Sequence, residues 1–193
     1  LARPVLHIGG GSNLLFTDDF KGTVLHSNIN FIEIINEEAT GPVLVSVGAG
    51  VVFDDFCDWA AKEGLWGAEN LSYIPGEVGA SAVQNIGAYG VEVKDIIHKV
   101  YCYDTVEEEF VSFSLEECGY GYRDSIFKKP EIKGRYIVTH VVFALSREAN
   151  PQLGYGHLRD AVMEAANQNI TPAAIRKVII KIRKEKLPEP SVM

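Results

Sequence analysis

The sequence predicts a mixed fold of strands and helices, and three observations support this prediction. Early apolar runs end in glycines and are followed by a segment with helical spacing. The run Tyr136–Leu145 is long and rich in β-branched residues, which is typical of a central strand. Thr171 and Pro172 have the residue types of an N-cap and a first helical position. With 193 residues, 47% of them apolar, the chain can bury a core of its own.

The first third of the chain predicts strands followed by one helix, in an α/β order. The apolar run Val5–Ile8 stops at Gly9-Gly10-Gly11, which predicts a buried strand that ends in a glycine loop. A helix is predicted over 52–63, because its apolar side chains recur at spacings of three and four residues. Further strands are predicted at 23–26, 31–35 and 43–47.

The remaining elements follow from the same patterns. Ser114 and Glu117 have the spacing of a capping box, so a short helix is predicted to begin there. The last helix is predicted from Pro172 until just before Pro188. The other predicted elements are strands at 96–103 and 109–113 and a helix at 157–166.

The segment 75–90 is rich in glycine and carries almost no charge. A solvated linker would normally contain more charge and fewer apolar groups. We therefore expect its backbone to lie close to another chain segment or to a ligand.

Composition narrows the possible classes of protein. The net charge of −8 disfavours a nucleic-acid partner, and no apolar run approaches the roughly 18 residues of a membrane span. Three cysteines without C-x-x-C spacing predict free buried thiols in a reducing cytoplasm, not a disulfide framework or a zinc site. The five histidines lack the spacing of metal ligands, so we expect them to be structural and expect no metal.

Two glycine segments are candidates for binding an extended ligand with a central diphosphate. After a strand, the glycines of Gly9-Gly10-Gly11-Ser12-Asn13 let backbone N–H groups turn toward a phosphate. The loop lacks the spacing of a dinucleotide fingerprint and the lysine of a P-loop, so a structural turn is the alternative. The second candidate is the segment 75–90.

Three further features could bind an anion. Arg123 lies among tyrosines and could grip a carboxylate or phosphate with its planar fork, or it could pair with Asp124 at the surface. Tyr155 lies between two glycines. It is either a mobile tyrosine that a ligand can approach closely or an ordinary aromatic residue at the tip of a loop. The segment 176–186 carries six basic residues and one acid, and it is either a solvated face or a binding face near Arg183 and Lys186.

Taken together, these segments resemble the UDP-N-acetylenolpyruvoylglucosamine reductase family, also called UDP-N-acetylmuramate dehydrogenase, over nearly the whole chain. The residues that carry the resemblance form five blocks: Gly9-Gly10-Gly11-Ser12-Asn13-Leu14-Leu15-Phe16, Ile74-Pro75-Gly76 through Gln84-Asn85-Ile86-Gly87-Ala88-Tyr89-Gly90, Gly121-Tyr122-Arg123-Asp124-Ser125-Ile126-Phe127-Lys128, Tyr155-Gly156 and Lys186-Leu187-Pro188. The second and third blocks are the specific ones.

The resemblance implies an α+β fold with two subdomains that bind FAD, of the vanillyl-alcohol-oxidase type. It implies an FAD-binding domain at 1–148, with subdomains of about 1–67 and 68–148. Residues 149–193 would be an incomplete N-terminal part of a substrate-binding domain. We expect the chain to begin inside a larger protein, because it lacks a starting methionine and a strand begins almost at once.

The resemblance also implies the cofactor contacts. The Gly9 to Asn13 loop would hold the FAD diphosphate, and the segment from Pro75 to Tyr89 would wrap the isoalloxazine and ribityl portions through its backbone. The expected cofactor-binding residues are Gly9, Gly10, Gly11, Ser12, Asn13, Pro75, Gly76, Ser81, Asn85, Gly87, Ala88 and Tyr89.

In the resembled family NADPH reduces the flavin, and the flavin then passes hydride to the enolpyruvyl carbon of the UDP-sugar. Arg123 matches the arginine that grips the substrate carboxylate and stabilises the developing enolate. The expected substrate-binding residues are Tyr122, Tyr155, Arg183 and Lys186. Tyr155 matches a loop tyrosine of the longer, type I branch. We expect a cytoplasmic monomer whose partners are the UDP-sugar and NADPH.

The chain departs from the resembled family after Lys186-Leu187-Pro188. The family continues into a loop with a general-acid serine and later contributes a glutamate, and Ser191 does not match that serine. The sequence therefore predicts that this chain binds FAD without completing the reaction. The alternatives are another flavin oxidase or dehydrogenase of the same fold, and a non-catalytic module.

Overall fold

The computed structural model describes residues 4–38, 40–165 and 169–186. In that part of the chain the strands and helices are β1 (Val5–Ile8), β2 (Thr23–His26), β3 (Ile32–Asn36), β4 (Val43–Gly48), α1 (Phe53–Lys62), α2 (Val78–Gln84), β5 (Gly87–Ala88), β6 (Val91–Glu92), β7 (Ile97–Asp104), β8 (Glu109–Ser114), β9 (Tyr136–Leu145), α3 (Leu158–Ala165) and α4 (Pro172–Lys186). Every predicted strand forms, within a residue or two of its expected bounds.

A five-stranded sheet in the order β3-β4-β9-β7-β8 organises the middle of the molecule. All neighbours in this sheet are antiparallel, and β9 lies at its centre, as predicted. The strands β1 and β2 form a separate parallel pair, and β5 and β6 form a short hairpin. The arrangement is therefore an α+β fold, and in the described residues the α/β order expected for the first third produces only the parallel pair β1-β2, apart from the antiparallel main sheet.

The main core lies where α1 packs beside the sheet. The predicted apolar face of α1 is buried, with Phe53, Phe56 and Cys57 fully enclosed. Phe56 stacks on Phe143 of β9 with ring centroids 4.4 Å apart. Burial of these aromatic side chains, each large in apolar area, fixes the helix on the sheet.

A second apolar cluster joins α3 and α4 to the rest of the chain. Leu158 and Val162 of α3 face Ile175 and Ile179 of α4, and Trp66 also belongs to this cluster. The predicted N-cap of α4 is confirmed, because the backbone N–H of Ala174 donates to Oγ1 of Thr171 at 3.1 Å. The predicted end of α3 at residue 166 and the end of α4 beyond Lys186 lie outside the described residues.

Two local predictions differ from the structure. The capping-box hydrogen bonds between Ser114 and Glu117 form at 2.8 and 3.3 Å, but the chain makes a turn there, so the predicted helix is wrong. Cys118 already bonds back to Ser114, and Gly119 has a φ of 53°, which ends the turn before a second one can follow. The segment 75–90 contains the helix α2. This helix was not predicted, because its sequence lacks a helical periodicity of apolar residues.

All three cysteines are free and buried, as predicted. Burial raises the pKa of Cys118 to about 11 and raises that of Cys102 further, so both stay as thiols near neutral pH. In the described ranges, no helix has the length and apolar content to span a membrane. The same ranges contain no cluster of three His, Cys, Asp or Glu side chains that could hold a metal ion.

Candidate functional site

A cleft of about 380 Å³ lies where the loop after β1 meets the start of α2. Both glycine segments line it, although they are more than 60 positions apart in the sequence. The predicted site residues that line this cleft are Gly9, Gly10, Gly11, Ser12, Asn13, Pro75, Gly76, Ser81 and Arg123. The structure therefore brings together most of the residues that the sequence singled out.

Glycine is required in the cleft for backbone geometry. Gly11 has a φ of 72° and Gly76 a φ of 117°, both in the region that side chains with a Cβ rarely adopt. The two loops face each other, since a Cβ on Gly76 would lie 3.6 Å from Oγ of Ser12. A Cβ on Gly11 would meet nothing within 4 Å, so this loop presents bare backbone to open space.

The start of α2 is fastened to the glycine junction after β4. The backbone N–H groups of Val78 and Gly79 donate to the carbonyls of Val51 and Ala49, each at 2.9 Å. A Cβ on Gly79 would lie 2.9 Å from the Cβ of Ala49, closer than such atoms approach. The close backbone approach expected for this segment is confirmed, and its partner is the chain itself.

Arg123 occupies a tight turn at the edge of the cleft. Its φ is 53°, and paired backbone hydrogen bonds between Gly121 and Asp124 close the turn at 3.0 and 3.1 Å. Its Nη2 donates to the carbonyl of Gly87 at 3.0 Å. The alternative pairing with Asp124 does not occur, because Asp124 bonds to Lys129 at 3.1 Å. Most of the guanidinium donors therefore remain available beside the cleft.

Asn85 is hydrogen-bonded to the turn that contains Arg123. It is fully buried, and its Nδ2 donates to the carbonyl of Gly121 at 2.8 Å. Its Oδ1 accepts from the backbone N–H of Lys94 at 3.2 Å. Asn85 does not line the cleft, and both of its polar atoms are engaged by the chain, so the geometry favours positioning of Arg123 over direct contact with a ligand.

Tyr73, just before Ile74-Pro75-Gly76, is held in a left-handed conformation with a φ of 61°. Its backbone N–H donates to Asp54 of α1, and its carbonyl accepts from Nε of Arg183 at 2.9 Å. Arg176 of α4 makes a two-pronged contact with Asp54 at 2.5 and 3.0 Å. We call this set of contacts (Asp54, Tyr73, Arg176 and Arg183) the Tyr73 clasp.

In the Tyr73 clasp, two basic residues of α4, Arg176 and Arg183, bind other parts of the chain. Nε of Arg176 also reaches Asp58 at 3.1 Å, and first Lys62, then Arg176 lower the pKa of that carboxyl. Arg183, predicted to bind substrate, spends one donor on Tyr73 at the approach to the cleft and keeps its other donors. Lys186 is exposed at the end of α4 and does not line the cleft.

The remaining predicted residues lie outside the cleft. Tyr89 and Tyr155 meet edge to face with ring centroids 5.9 Å apart, and Asn70 fixes the Tyr89 carbonyl at 3.0 Å. Tyr155 and Tyr122 are exposed, at 58% and 86% of their surface. Gly87 is linked to the site through Arg123, and Ala88 continues the same short strand.

Four polar residues that line the cleft were not predicted from the sequence: His7, Ser27, Glu77 and Gln84. Glu77 is buried and its Oε1 lies 2.7 Å from Nε2 of His26. His7 also lines the cleft; burial first, and then His26, lower its pKa, while Glu77 opposes this. A signal for Glu77 was present, because it is the one charged residue between positions 75 and 90. No local pattern tied the two histidines to it.

The FAD-binding domain family matches residues 2–111, which is more than half of the chain, so the chain belongs to this family. The FAD expected from the sequence is thereby confirmed as the cofactor.

The chain is also 54% identical over all 193 residues to the UDP-N-acetylenolpyruvoylglucosamine reductase of Bacteroides fragilis, and spans 57% of that protein. It is 48% identical over 191 residues to the reductase of the same name from Neisseria meningitidis, and spans 54% of it. The resemblance seen in the sequence is therefore confirmed.

Solved structures agree with the fold. A crystal structure of the reductase of this name from Thermus caldophilus matches 96% of this chain and 57% of its own, with a TM-score of 0.65 and 26% identity. A cholesterol oxidase from Brevibacterium sterolicum matches 74% of this chain and 30% of its own, with a TM-score of 0.50 and 11% identity, which supports the fold alone. The chain spans little more than half the length of the curated relatives it matches.

Proposed function

We propose that the protein reduces UDP-N-acetylglucosamine enolpyruvate to UDP-N-acetylmuramate with FAD and NADPH, for peptidoglycan synthesis. The observation that carries the proposal is the cleft, in which two distant glycine segments and Arg123 line one space. This chain holds the FAD and the carboxylate-binding arginine. The remainder of the reaction belongs to the longer protein that its relatives represent.

The residues of the cleft fit FAD. At Gly11 the loop from Gly9 to Asn13 has open space in front of its backbone, which suits a diphosphate. Pro75, Gly76 and Ser81 form the opposite wall, where the left-handed Gly76 lets the backbone approach a flat ring. We propose that Gly87, Ala88 and Tyr89, which lie outside the cleft, contact the cofactor beyond this wall, since Gly87 is joined to Arg123 at the edge of the cleft. Asn85 supports the turn of Arg123.

In the proposed reaction, bound FAD supplies the transfer of hydride from NADPH to the substrate. Arg123 binds the carboxylate of the enolpyruvyl group through two parallel N–H donors. As the terminal carbon of the enolpyruvyl double bond accepts hydride, negative charge builds on the carbon that bears the carboxylate and is delocalised into it, and the fixed guanidinium stabilises that charge. The bond from Nη2 to the Gly87 carbonyl keeps the fork oriented before substrate arrives.

The remaining roles concern the sugar nucleotide. We propose that Arg183 and Lys186 attract its diphosphate and that Tyr122 and Tyr155 close over it, since both tyrosines are exposed and Tyr155 already contacts the cofactor-side residue Tyr89. We propose that residues 149–193 are the incomplete start of a substrate-binding domain next to an FAD domain of residues 1–148. The acid that protonates the substrate is contributed by the longer protein, as in the resembled family.

The three free buried thiols suit a cytoplasmic protein, and we propose a cytoplasmic monomer. Size-exclusion chromatography with light scattering would test the monomer, and a mass of about twice the chain's 21.2 kDa would contradict it.

A visible spectrum of the purified chain, recorded after FAD is added and free flavin is removed, tests the cofactor site. We expect a retained flavin spectrum, and a colourless protein would contradict the proposal.

The full-length protein with Arg123→Met or Arg123→Lys tests the role of Arg123 in the reaction. We expect both variants to keep FAD while kcat falls on the order of 10²–10³-fold, with less loss for Lys because it keeps the charge. Unchanged turnover in Arg123→Met would remove Arg123 from the mechanism.

A further inference from the structure

We propose that the carboxylate of Glu77, oriented by His26, accepts a hydrogen bond from a sugar hydroxyl that adjoins the diphosphate of the bound flavin nucleotide. The proposal rests on the FAD site described under the proposed function. It assigns a cofactor contact to a residue for which neither the sequence motifs nor the family suggested one.

Glu77 is a buried acid with one uncommitted oxygen. Its side chain is only 9% exposed, and its Oε1 is engaged by His26 at 2.7 Å. Its Oε2 is fully enclosed and has no hydrogen-bond partner among the described residues. Buried carboxylate oxygens are normally paired, so this atom is expected to meet a donor in the working protein.

The free oxygen is directed at the diphosphate loop. A Cβ on Gly9 would lie 3.5 Å from Oε2, and one on Gly10 would lie 3.4 Å from Oε1. Glu77 therefore lies directly against the backbone proposed to hold the diphosphate. Oγ of Ser27, which follows β2 and lines the same cleft, is the second enclosed polar atom here without a partner in the described chain. Two such atoms at one cleft indicate a polar ligand.

Charge decides which part of the ligand meets Glu77. A carboxylate only accepts hydrogen bonds, so phosphate oxygens cannot be its partner, whereas hydroxyls can. In FAD, hydroxyls flank the diphosphate on both sides, on the ribityl chain and on the adenosine ribose. The shared chemistry is a sugar hydroxyl within reach of the diphosphate. The other titratable groups facing this carboxylate are His26 and His7, on the parallel strand pair.

The sign of the mutational effect on FAD binding separates this role from simple repulsion of the diphosphate. If Glu77 only repels the nearby diphosphate, removing its charge strengthens FAD binding. If Glu77 accepts a hydroxyl, removing its oxygens weakens FAD binding, because a charge-assisted hydrogen bond is lost.

The experiment measures the Kd of FAD, ADP and FMN for the wild-type chain, Glu77→Met and Glu77→Gln by fluorescence titration and calorimetry. We expect Glu77→Met to raise the Kd of FAD about tenfold, which corresponds to about 1.4 kcal/mol. Glu77→Gln keeps one neutral acceptor, so we expect about a threefold increase. A weakening confined to ADP would assign the ribose hydroxyl, and one confined to FMN the ribityl hydroxyl.

Glu69→Gln is the matched control. Glu69 is also buried, at 2% exposure, and its carboxylate accepts from the backbone N–H of Gly67 at 2.6 Å, outside the cleft. We expect this variant to keep the wild-type Kd for FAD. Equal or tighter FAD binding by both Glu77 variants would overturn the inference while leaving the proposed function intact. Failure of the wild-type chain to bind FAD would instead contradict the proposed function, and with it this contact.

Discussion

The two glycine segments of the cleft are alike in composition and opposite in physical role. At the loop after β1, Gly11 leaves open space in front of its backbone, and the neighbouring Leu14, Leu15 and Phe16 are exposed. At the start of α2, Gly79 is packed against Ala49, and the backbone N–H groups of Gly79 and Val78 are hydrogen-bonded to the junction after β4. At Gly11 the first segment borders open space, whereas at Gly79 the second segment is filled by the chain itself.

This difference teaches that glycine content alone does not identify a binding loop. In the second segment the chain uses its glycine to bring a helix within contact distance of a strand end, and the resulting wall is rigid. In the first segment Gly9 and Gly10 lie against Ala80 and Glu77, and Gly11 borders open space. A rigid wall opposite an open loop is an arrangement that suits ligand binding with limited reorganisation.

The largest effect is expected when the tight segment is overfilled. Gly79→Val adds three carbon atoms where a single Cβ already lies 2.9 Å from Ala49 and 3.3 Å from its carbonyl oxygen. We expect a loss of about 3 kcal/mol in the free energy of unfolding, which lowers Tm by about 6–12 °C. Differential scanning calorimetry on the chain without added FAD measures it. A Tm within 2 °C of the wild type, using about 2–4 °C per kcal/mol, would contradict the tight packing.

An intermediate effect is expected when the Tyr73 clasp is opened. Arg176→Leu leaves the half-buried carboxylate of Asp54 without its two-pronged partner. Because Asp54 and Asp58 keep some contact with water, we expect a loss of about 2 kcal/mol in the free energy of unfolding, less than for a fully buried pair. Urea unfolding measures it. Lys21→Met, which breaks an exposed pair with Asp19, is the control and should change stability by less than about 0.5 kcal/mol.

The smallest change in stability, with a selective change in binding, is expected at the open loop. Gly11→Ala and Gly64→Ala each place a Cβ on a left-handed residue, with φ of 72° and 69° and no atom within 4 Å. Both should lose about 1 kcal/mol of stability from backbone strain. Only Gly11→Ala should weaken FAD binding, by about tenfold or 1.4 kcal/mol. Equal Kd values for the two variants would show that the loop does not approach the cofactor.

Most of the fold could be predicted because its strands and amphipathic helices are encoded locally. The run 136–145 predicts the central strand β9, and the spacing of Phe53, Phe56 and Cys57 predicts the buried face of α1. The helix α2 escaped prediction because it is short, glycine-containing and buried on several sides, so it lacks a polar face. The capping box at Ser114 formed its bonds without a helix because Gly119, with a φ of 53°, ends the turn before a second one can follow.

The candidate site could be predicted where it depends on backbone, and less well where it depends on distant partners. The cleft-lining glycines and Arg123 followed from motifs in the sequence. The contact between Arg183 and Tyr73 spans 110 positions, and the one between Glu77 and His26 spans 51. No local pattern encodes such pairs, since they arise only once the sheet and α4 are in place.

The distance along the chain between Asp54 and Arg176 also sets an order of events during synthesis. These partners are 122 positions apart. At about 5–20 residues per second, a ribosome makes Arg176 roughly 6–24 seconds after Asp54. The left-handed Tyr73 is thus made long before the side chain that secures its surroundings. The nascent chain therefore passes through an interval in which the sheet can form but Arg176 is not yet present to bind Asp54 beside the cleft.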